Sequence, residues 1–258
     1  MTTIVALIER DLLVLRRNLV VVALRILVQP VLFVFVFTVV FPLTGQSIGG
    51  SQAARFATLL VPGTVALVTV LQGIQAVALP MVADLGYTRE VEARAMAPVA
   101  PTTLALVRVG TGAIECLVGG LLVAPLAYFI PPHTPNLHIS PVGLAVVAVL
   151  GALVGSTLGL TLGTVVRPDQ VPMMFSLVVV PITFLGGSYY PWAALGDARW
   201  LQVLVLANPV VFVNEAFRAV TTPQIDAMPL AVSVTAMVAV ILALGATGTR
   251  RFARLLVR

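Results

Sequence analysis

The 258-residue chain is 59% hydrophobic and only 10% charged, with a formal net charge of +5, whereas a soluble domain carries about 25% charged residues. Its mean hydropathy of +1.08 and its repeated uncharged runs of bilayer length exclude a water-soluble globular core. All 15 basic residues are Arg, placed at helix ends and in short loops with no polar domain to carry a basic face, so they point to lipid and membrane orientation rather than to nucleic acid.

Residues 1–18 place Ile4, Leu7, Ile8, Leu12 and Leu15 at helical spacing, with Glu9, Arg10, Asp11, Arg16 and Arg17 mostly on other faces. This pattern predicts an amphipathic helix lying on the membrane surface. Six apolar spans are expected after it, at 19–41, 57–82, 103–130, 141–166, 171–188 and 228–249. The fold class is therefore all-α integral membrane, in one transmembrane domain, since no internal repeat divides the chain and no soluble domain fits between spans.

Residues 88–98 interrupt the apolar pattern after the second span. Thr88 to Ala97 form about three helical turns, with Glu90 four residues before Arg94 in the favourable orientation and Pro98 ending the helix. The result is a short charged rod exposed between two spans. Within the third span, Glu115 lies about 13 Å deep, and a carboxylate there needs a partner. Arg25 in the first span and Arg108, seven positions earlier on nearly the same face, are the two candidates. Gly112, Cys116 and Gly120 recur at four-residue spacing along the third span, and Gly151, Gly155, Gly159 and Gly163 along the fourth. Two uses of that ridge stand open: close packing between helices of one subunit, or a seam between two copies.

Residues 189–227 are too polar at their edges for a clean span, yet LQVLVLANPVVFV is too apolar for a free loop. A broken pair of short helices entering the membrane, interrupted at Asn208-Pro209, satisfies both constraints. Glu215 and Arg218, three residues apart, can pair on one helical face.

Six spans return both termini to one side of the membrane. That side holds Arg10, Arg16, Arg17, Arg89, Arg94, Arg108, Arg167, Arg250, Arg251, Arg254 and Arg258, against Arg55, Arg199 and Arg218 on the other. The positive-inside rule thus predicts cytoplasmic termini. Trp192, Trp200, Tyr128, Tyr189 and Tyr190 fall near the expected outer boundary, where amphipathic rings settle.

Chemistry within the chain is not expected. A phosphate-binding P-loop needs a Lys and the sequence has none, and a Ser, His and acid triad needs its members at one depth, whereas His133 and His138 share one outer loop. Cys116 is alone, so it forms no intrachain disulfide and no metal-binding cluster. The predicted chain is a non-enzyme with no metal and no cofactor of its own.

Four segments together resemble the permeases of the type-2 ABC exporter family. The leading amphipathic helix precedes a span broken at Gln29-Pro30, and FATLLVPGTVAL at 56–67 is similar to the family's entry to the second span. REVEARAMAPVAPTTLALVRV at 89–109 resembles its charged cytoplasmic segment, and the run from Val178 through FLGGSYYPW and LANPVVFVNEAFRAV resembles its fifth span, Gly-to-Tyr-Pro turn and Asn-Pro re-entrant segment. The fifth span here is slightly short and there is no long outer domain, so the subfamily stays open.

The resemblance implies that 88–98 is a coupling helix seated in a cleft of a separate ATPase. Arg89, Glu90, Glu92 and Arg94 would supply its polar contacts, and Val91 and Met96 its apolar ones. The alternative is an ordinary solvated loop. It further implies an outer gate at Tyr189, Tyr190, Asn208, Pro209, Glu215 and Arg218, against the alternative of a structured outer loop. The implied partners are two copies of an ABC ATPase, which hold the ATP and Mg, and a second permease, identical or related. Low aromatic content and nearly uncharged spans favour a drug or lipid as exported substrate, with a glycan or glycolipid as the alternative. Further rivals are an ion-coupled secondary transporter, which would place several polar groups at mid-membrane, and a non-transporting scaffold. The all-Arg, Ala- and Val-rich composition fits a bacterial protein of the cell (inner) membrane.

Overall fold

The computed structural model describes residues 27–28, 30–32, 34–40, 51–84 and 100–256. The expected surface helix at 1–18, Arg25 and the charged segment 88–98 lie outside the described residues. Among those described there is no β-strand, and five helices are long and apolar enough to cross a membrane.

In chain order the helices are α1 (Pro30–Val40), α2 (Arg55–Ala83), α3 (Pro101–Phe129), α4 (Pro141–Val165) and α5 (Pro168–Leu185). Two short helices follow, α6 (Arg199–Ala207) and α7 (Pro209–Thr221), and then the long α8 (Leu230–Leu256). Spans α2 to α5 and α8 match five of the six expected from the apolar runs, and the short helix α1 falls within the remaining run, 19–41. α5 starts three residues earlier than its apolar run suggests. Pro168 needs no intrahelical N–H partner at a first-turn position, so a short 3₁₀ turn over Pro168–Gln170 extends the helix.

We call proximal the end of the bundle that carries Asp84, Pro101, Val165 and Arg250. The distal end carries the 130–140 loop and everything between α5 and α8. Hydrophobic clusters mark both ends. Val34, Leu60, Val68 and Val123 pack distally, and Val77, Met81, Val109, Leu160 and Phe252 proximally.

α2 is the axle of the bundle: 72% of its most apolar stretch is buried, against 11% for α5 and for α8. Glycine permits this. A Cβ added at Gly155 of α4 would fall 2.8 Å from the Val70 carbonyl oxygen, one at Gly163 would fall 3.0 Å from the Met81 side chain, and one at Gly159 would collide with the Gly73 carbonyl. On α3, Gly112 faces Val77 and Gly120 faces Thr69 at 2.5 Å. Both small-residue ridges are therefore used inside one subunit, against the two sides of α2, except that Gly151 faces Val213 and Phe217 of α7. Backbones approaching this closely gain dispersion contacts, which drive helix association where lipid removes the hydrophobic effect.

Prolines shape the spans locally. Each of two one-turn π-helices, Ile74–Ala78 and Phe175–Val179, is closed by a residue directly followed by a proline: the Leu79 amide donates to Ile74 and the Val180 amide to Phe175. Widening the turn by one residue makes room for the rings of Pro80 and Pro181, which would clash with a carbonyl four residues back. Hydroxyls inside the bundle close on their own helices, as Ser156 does on Ala152 at 2.7 Å and Thr157 on Leu153 at 2.7 Å. Thr161 also donates to the Leu244 carbonyl at 3.0 Å, tying α4 to α8.

Gly155→Leu or Gly159→Leu should lower stability by about 1–3 kcal/mol, the range for overpacked cores. Gly110→Leu, whose Cβ meets nothing within 4 Å, should stay within about 0.5 kcal/mol of the parent. Thermal unfolding in detergent reads both, and equal losses at Gly110 and Gly155 would show that the ridge has no special role.

Candidate functional site

The distal end is built around α7. Asn208 caps this helix: its Oδ1 accepts from the Val210 amide at 3.0 Å and its Nδ2 donates to the Ile182 carbonyl at 3.0 Å. Pro209 follows at the first helical position, where its missing N–H costs nothing. Because Asn208 is extended and not helical, α6 and α7 meet at 101°. At the Asn-Pro break the Asn208 side chain thus satisfies the freed Val210 amide and at the same time ties the break to a carbonyl at the end of α5.

One turn further on, α7 turns polar while remaining fully enclosed. Glu215 and Arg218 are both 0% exposed, and Arg218 Nη1 donates to Glu215 Oε1 at 2.8 Å. Two charges in an apolar interior are costly unless their remaining lone pairs and protons find partners. Here the partners are main-chain groups, and of the guanidinium only Nε is left without one. Glu215 Oε1 also accepts from the Trp192 amide at 3.0 Å, and Oε2 from the Met228 amide at 2.8 Å. Arg218 Nη2 donates to the Gly187 carbonyl and to the Ser188 carbonyl at 3.1 Å. Asn214, one turn before Arg218, donates to the Gly186 carbonyl at 2.7 Å and to Ser188 Oγ at 3.0 Å. Three residues of one helix therefore hold the turn 186–192 after α5 and the residue that leads into α8.

Gly187 has φ +71°, a left-handed conformation that costs other residues about 1–2 kcal/mol. It points its carbonyl at Arg218. On the other side of the turn, Gly63 of α2 lets the Ser188 backbone approach so closely that any Cβ would overlap it. The Pro62-Gly63 pair of the second span and the Gly-Gly-Ser-Tyr turn, remote in sequence, are thus in direct contact.

The tyrosines separate in role. Tyr189 stacks on Phe37 of α1 with ring centroids 5.7 Å apart and tilts against Phe184 at 6.3 Å, and burial pushes its hydroxyl up to about 12. Tyr190 sits beside Arg218 on the half-buried side of the turn. Trp192 Nε1 donates to the Gln202 carbonyl at 3.0 Å, which locks the turn to α6. The 130–140 loop is fastened as well: the His138 and Ser140 amides donate to the Thr221 and Val220 carbonyls at 2.8 and 2.9 Å.

The sequence profile of the ABC-2 type transporter family matches residues 2–221, a stretch that ends at the last residue of α7 and so includes the whole Asn208–Arg218 constellation. The chain belongs to the ABC-2 type transporter family. Membership makes it a membrane subunit of an ABC transporter. It is also 29% identical over 194 residues to the inner membrane transport permease YadH of Escherichia coli K12, covering 74% of this chain and 73% of that protein. The protein of the same name from Shigella flexneri matches to the same extent.

At the proximal end, Arg108 makes its ion pair with Asp84 at 3.7 Å, each side chain about one-fifth exposed. Arg108 stands two helical turns below Glu115, about 10 Å along the axis, and its long side chain reaches toward the membrane edge, where α2 ends. Glu115 is half-buried on α3; its other candidate partner, Arg25, is outside the described residues, as are Arg89, Glu90, Val91, Glu92, Arg94 and Met96. Asp84 and Asn214 were missed from the sequence, as were the main-chain partners at 187, 188, 192 and 228. Asn214 carried a weak signal, since it lies four residues before Arg218 and so shares its face. No group of three or more potential metal ligands occurs among the described residues.

Arg218→Met should cost about 3–5 kcal/mol, because it strands a buried carboxylate. Adding Glu215→Gln should recover part of that loss, since the neutral amide oxygen still accepts from a main-chain N–H and needs no counterion. A double-mutant cycle on thermal unfolding reads the coupling, and simple additivity of the two changes would contradict the pairing described.

Proposed function

We propose that the chain is one permease half of an ATP-driven exporter of the bacterial inner membrane, with both termini cytoplasmic and the distal end facing outward. Two ATPase subunits drive it, and a second permease, identical or related, completes the path. Its substrate is apolar or amphipathic, a drug or a lipid. The reading rests on family membership, and the observation that carries the mechanism is the continuity of α2 between the two ends of the bundle.

Segment 88–98 joins the proximal ends of α2 and α3. Asp84 and Arg108 lie on these two helices and clasp them at the base of that segment. A push on 88–98 by a closing ATPase would therefore move α2 and α3 as one body. About 32 Å away along α2, at 1.5 Å per residue, Gly63 rests on Ser188, whose carbonyl is held by Arg218. In this mechanism the proximal motion reaches the distal turn through a rigid helix and one glycine contact. Tyr189, Tyr190, Asn208, Pro209, Glu215 and Arg218 then form the outer closure. The carriers of the coupling are Arg89, Glu90, Val91, Glu92, Arg94 and Met96. ATP and Mg belong to the partner ATPase.

Reconstitution with the cognate ATPase tests this. The Ala93→Cys variant should react with an impermeant maleimide only from the cytoplasmic side. Arg94→Glu should lower transport-coupled ATP hydrolysis at least about fivefold, the lower bound of an ordinary coupling energy, with the chain still folded. Asp84→Arg should uncouple similarly, and the exchange Asp84→Arg with Arg108→Asp should restore coupling. Labelling of the Ala93→Cys variant only from outside, or ATP hydrolysis by the purified chain alone, would refute the reading.

A further inference from the structure

The distal half of the bundle contains a half-enclosed cavity of about 170 Å³ between α2, α3, α4 and α7. Its walls include Val65 of α2, Ala124 of α3, Leu144 of α4 and Phe217 of α7. Phe217 is buried and belongs to the largest apolar cluster among the described residues, and it directly precedes Arg218. The cavity thus lies on the back of the helix whose other side makes the buried ion pair.

Its chemistry is one-sided. Apart from Tyr128 and Thr221 every lining side chain is hydrocarbon or proline, and the Thr221 hydroxyl is already committed to the Phe217 carbonyl at 2.7 Å. A buried water needs two to four polar partners, and an apolar cavity of about 150 Å³ stays dry and takes up an apolar molecule instead. Water is thus a poor occupant.

The mouth defines a better one. Tyr128 and Ile139 form part of the lining and are themselves exposed, at 37% and 50%. Around them Leu121, Phe129 and Val142 project from α3 and α4 with about three-quarters of their surface uncovered, so the cavity is continuous with the lipid-facing side of two spans. Hydrocarbon enters such an opening with no loss of hydrogen bonds. The exposed Tyr128 ring and the neighbouring polar residues His138 and Ser140 provide the amphipathic border that a headgroup prefers.

We propose that this cavity is a binding site for one acyl chain of a phospholipid from the leaflet at the distal end, with the headgroup beside Tyr128 and the chain against Phe217. The site is built within one subunit. It requires only the described walls, so it stands whether or not the transport mechanism above is correct. A chain seated on Phe217 supports α7 from behind, which makes occupancy a determinant of how firmly Glu215 and Arg218 hold the distal turn.

The test uses the full chain in phosphatidylethanolamine and phosphatidylglycerol vesicles containing a phosphatidylcholine with a diazirine near the end of one acyl chain. After illumination, adducts are mapped by mass spectrometry. Adducts are expected on Phe217, which is 2% exposed and which ordinary annular lipid does not reach. Ala124→Leu and Val65→Phe fill the cavity from two different helices. Removing room for about two methylenes should lower labelling of Phe217 roughly tenfold relative to Leu121. The parent measurement needs no variant, so misfolding of one or both leaves the proposal testable. Labelling confined to Leu121, Phe129 and Val142 would mean annular contact only and would overturn it. Undiminished labelling of Phe217 in a folded, filled variant would do the same, as would labelling by a free fatty acid probe but not by the phospholipid.

Discussion

A carboxylate and a guanidinium removed from solvent are held together at 2.8 Å on α7, and the distal architecture is arranged to make that tolerable. Desolvating two charges costs several kcal/mol for each, and their mutual attraction compensates only when the leftover hydrogen-bonding capacity is also used. Glu215 uses it on the amides of Trp192 and Met228, and Arg218 on the carbonyls of Gly187 and Ser188, leaving only its Nε unpartnered. Non-helical backbone at membrane depth survives only where protein satisfies it. The pair and the turn therefore need each other: the turn would be unsatisfied without the charges, and the charges unsatisfied without the turn.

Neither could be assembled without the close approach of the spans. α2 is approached by α4 through Gly155, Gly159 and Gly163, and by α3 through Gly112 and Gly120. Gly63 repeats the device at the distal end, where it admits the Ser188 backbone. Small residues thus serve two ends at once, packing the bundle and placing the turn within reach of Arg218. This is the physical link between an ordinary membrane packing motif and the candidate gate of an ABC-2 permease.

The contrast between enclosed and uncovered helices fits a subunit meant for larger company. α2 is largely buried within the chain, whereas α5 and α8 keep most of their apolar surface uncovered. Such surface is covered by lipid or by another membrane subunit. The apolar cavity between α2, α3, α4 and α7 extends the lipid-facing side inward as far as Phe217, so one helix meets the buried ion pair on one side and hydrocarbon on the other.

Most of the architecture could be read before any coordinates, because in lipid the length of an uncharged run and the satisfaction of its backbone leave few choices. The runs at 57–82, 103–130 and 141–166 gave helices close to their expected limits, the run at 228–249 continues helically to Leu256, and Asn208-Pro209 marked the sharp break between α6 and α7. Spacing alone also identified Glu215 and Arg218 as neighbours, since residues three apart share a helical face. What spacing could not say is that this face is fully buried, that its partners are main-chain groups 23 to 31 residues earlier and 13 residues later, or that Arg108 would meet Asp84. Main-chain donors and acceptors are the same at every position, so a sequence carries no mark of which of them a buried charge will use. Only the packing of α2 against α4 and of the turn against Gly63 decided that, because it fixed which backbone lay within about 3 Å of α7.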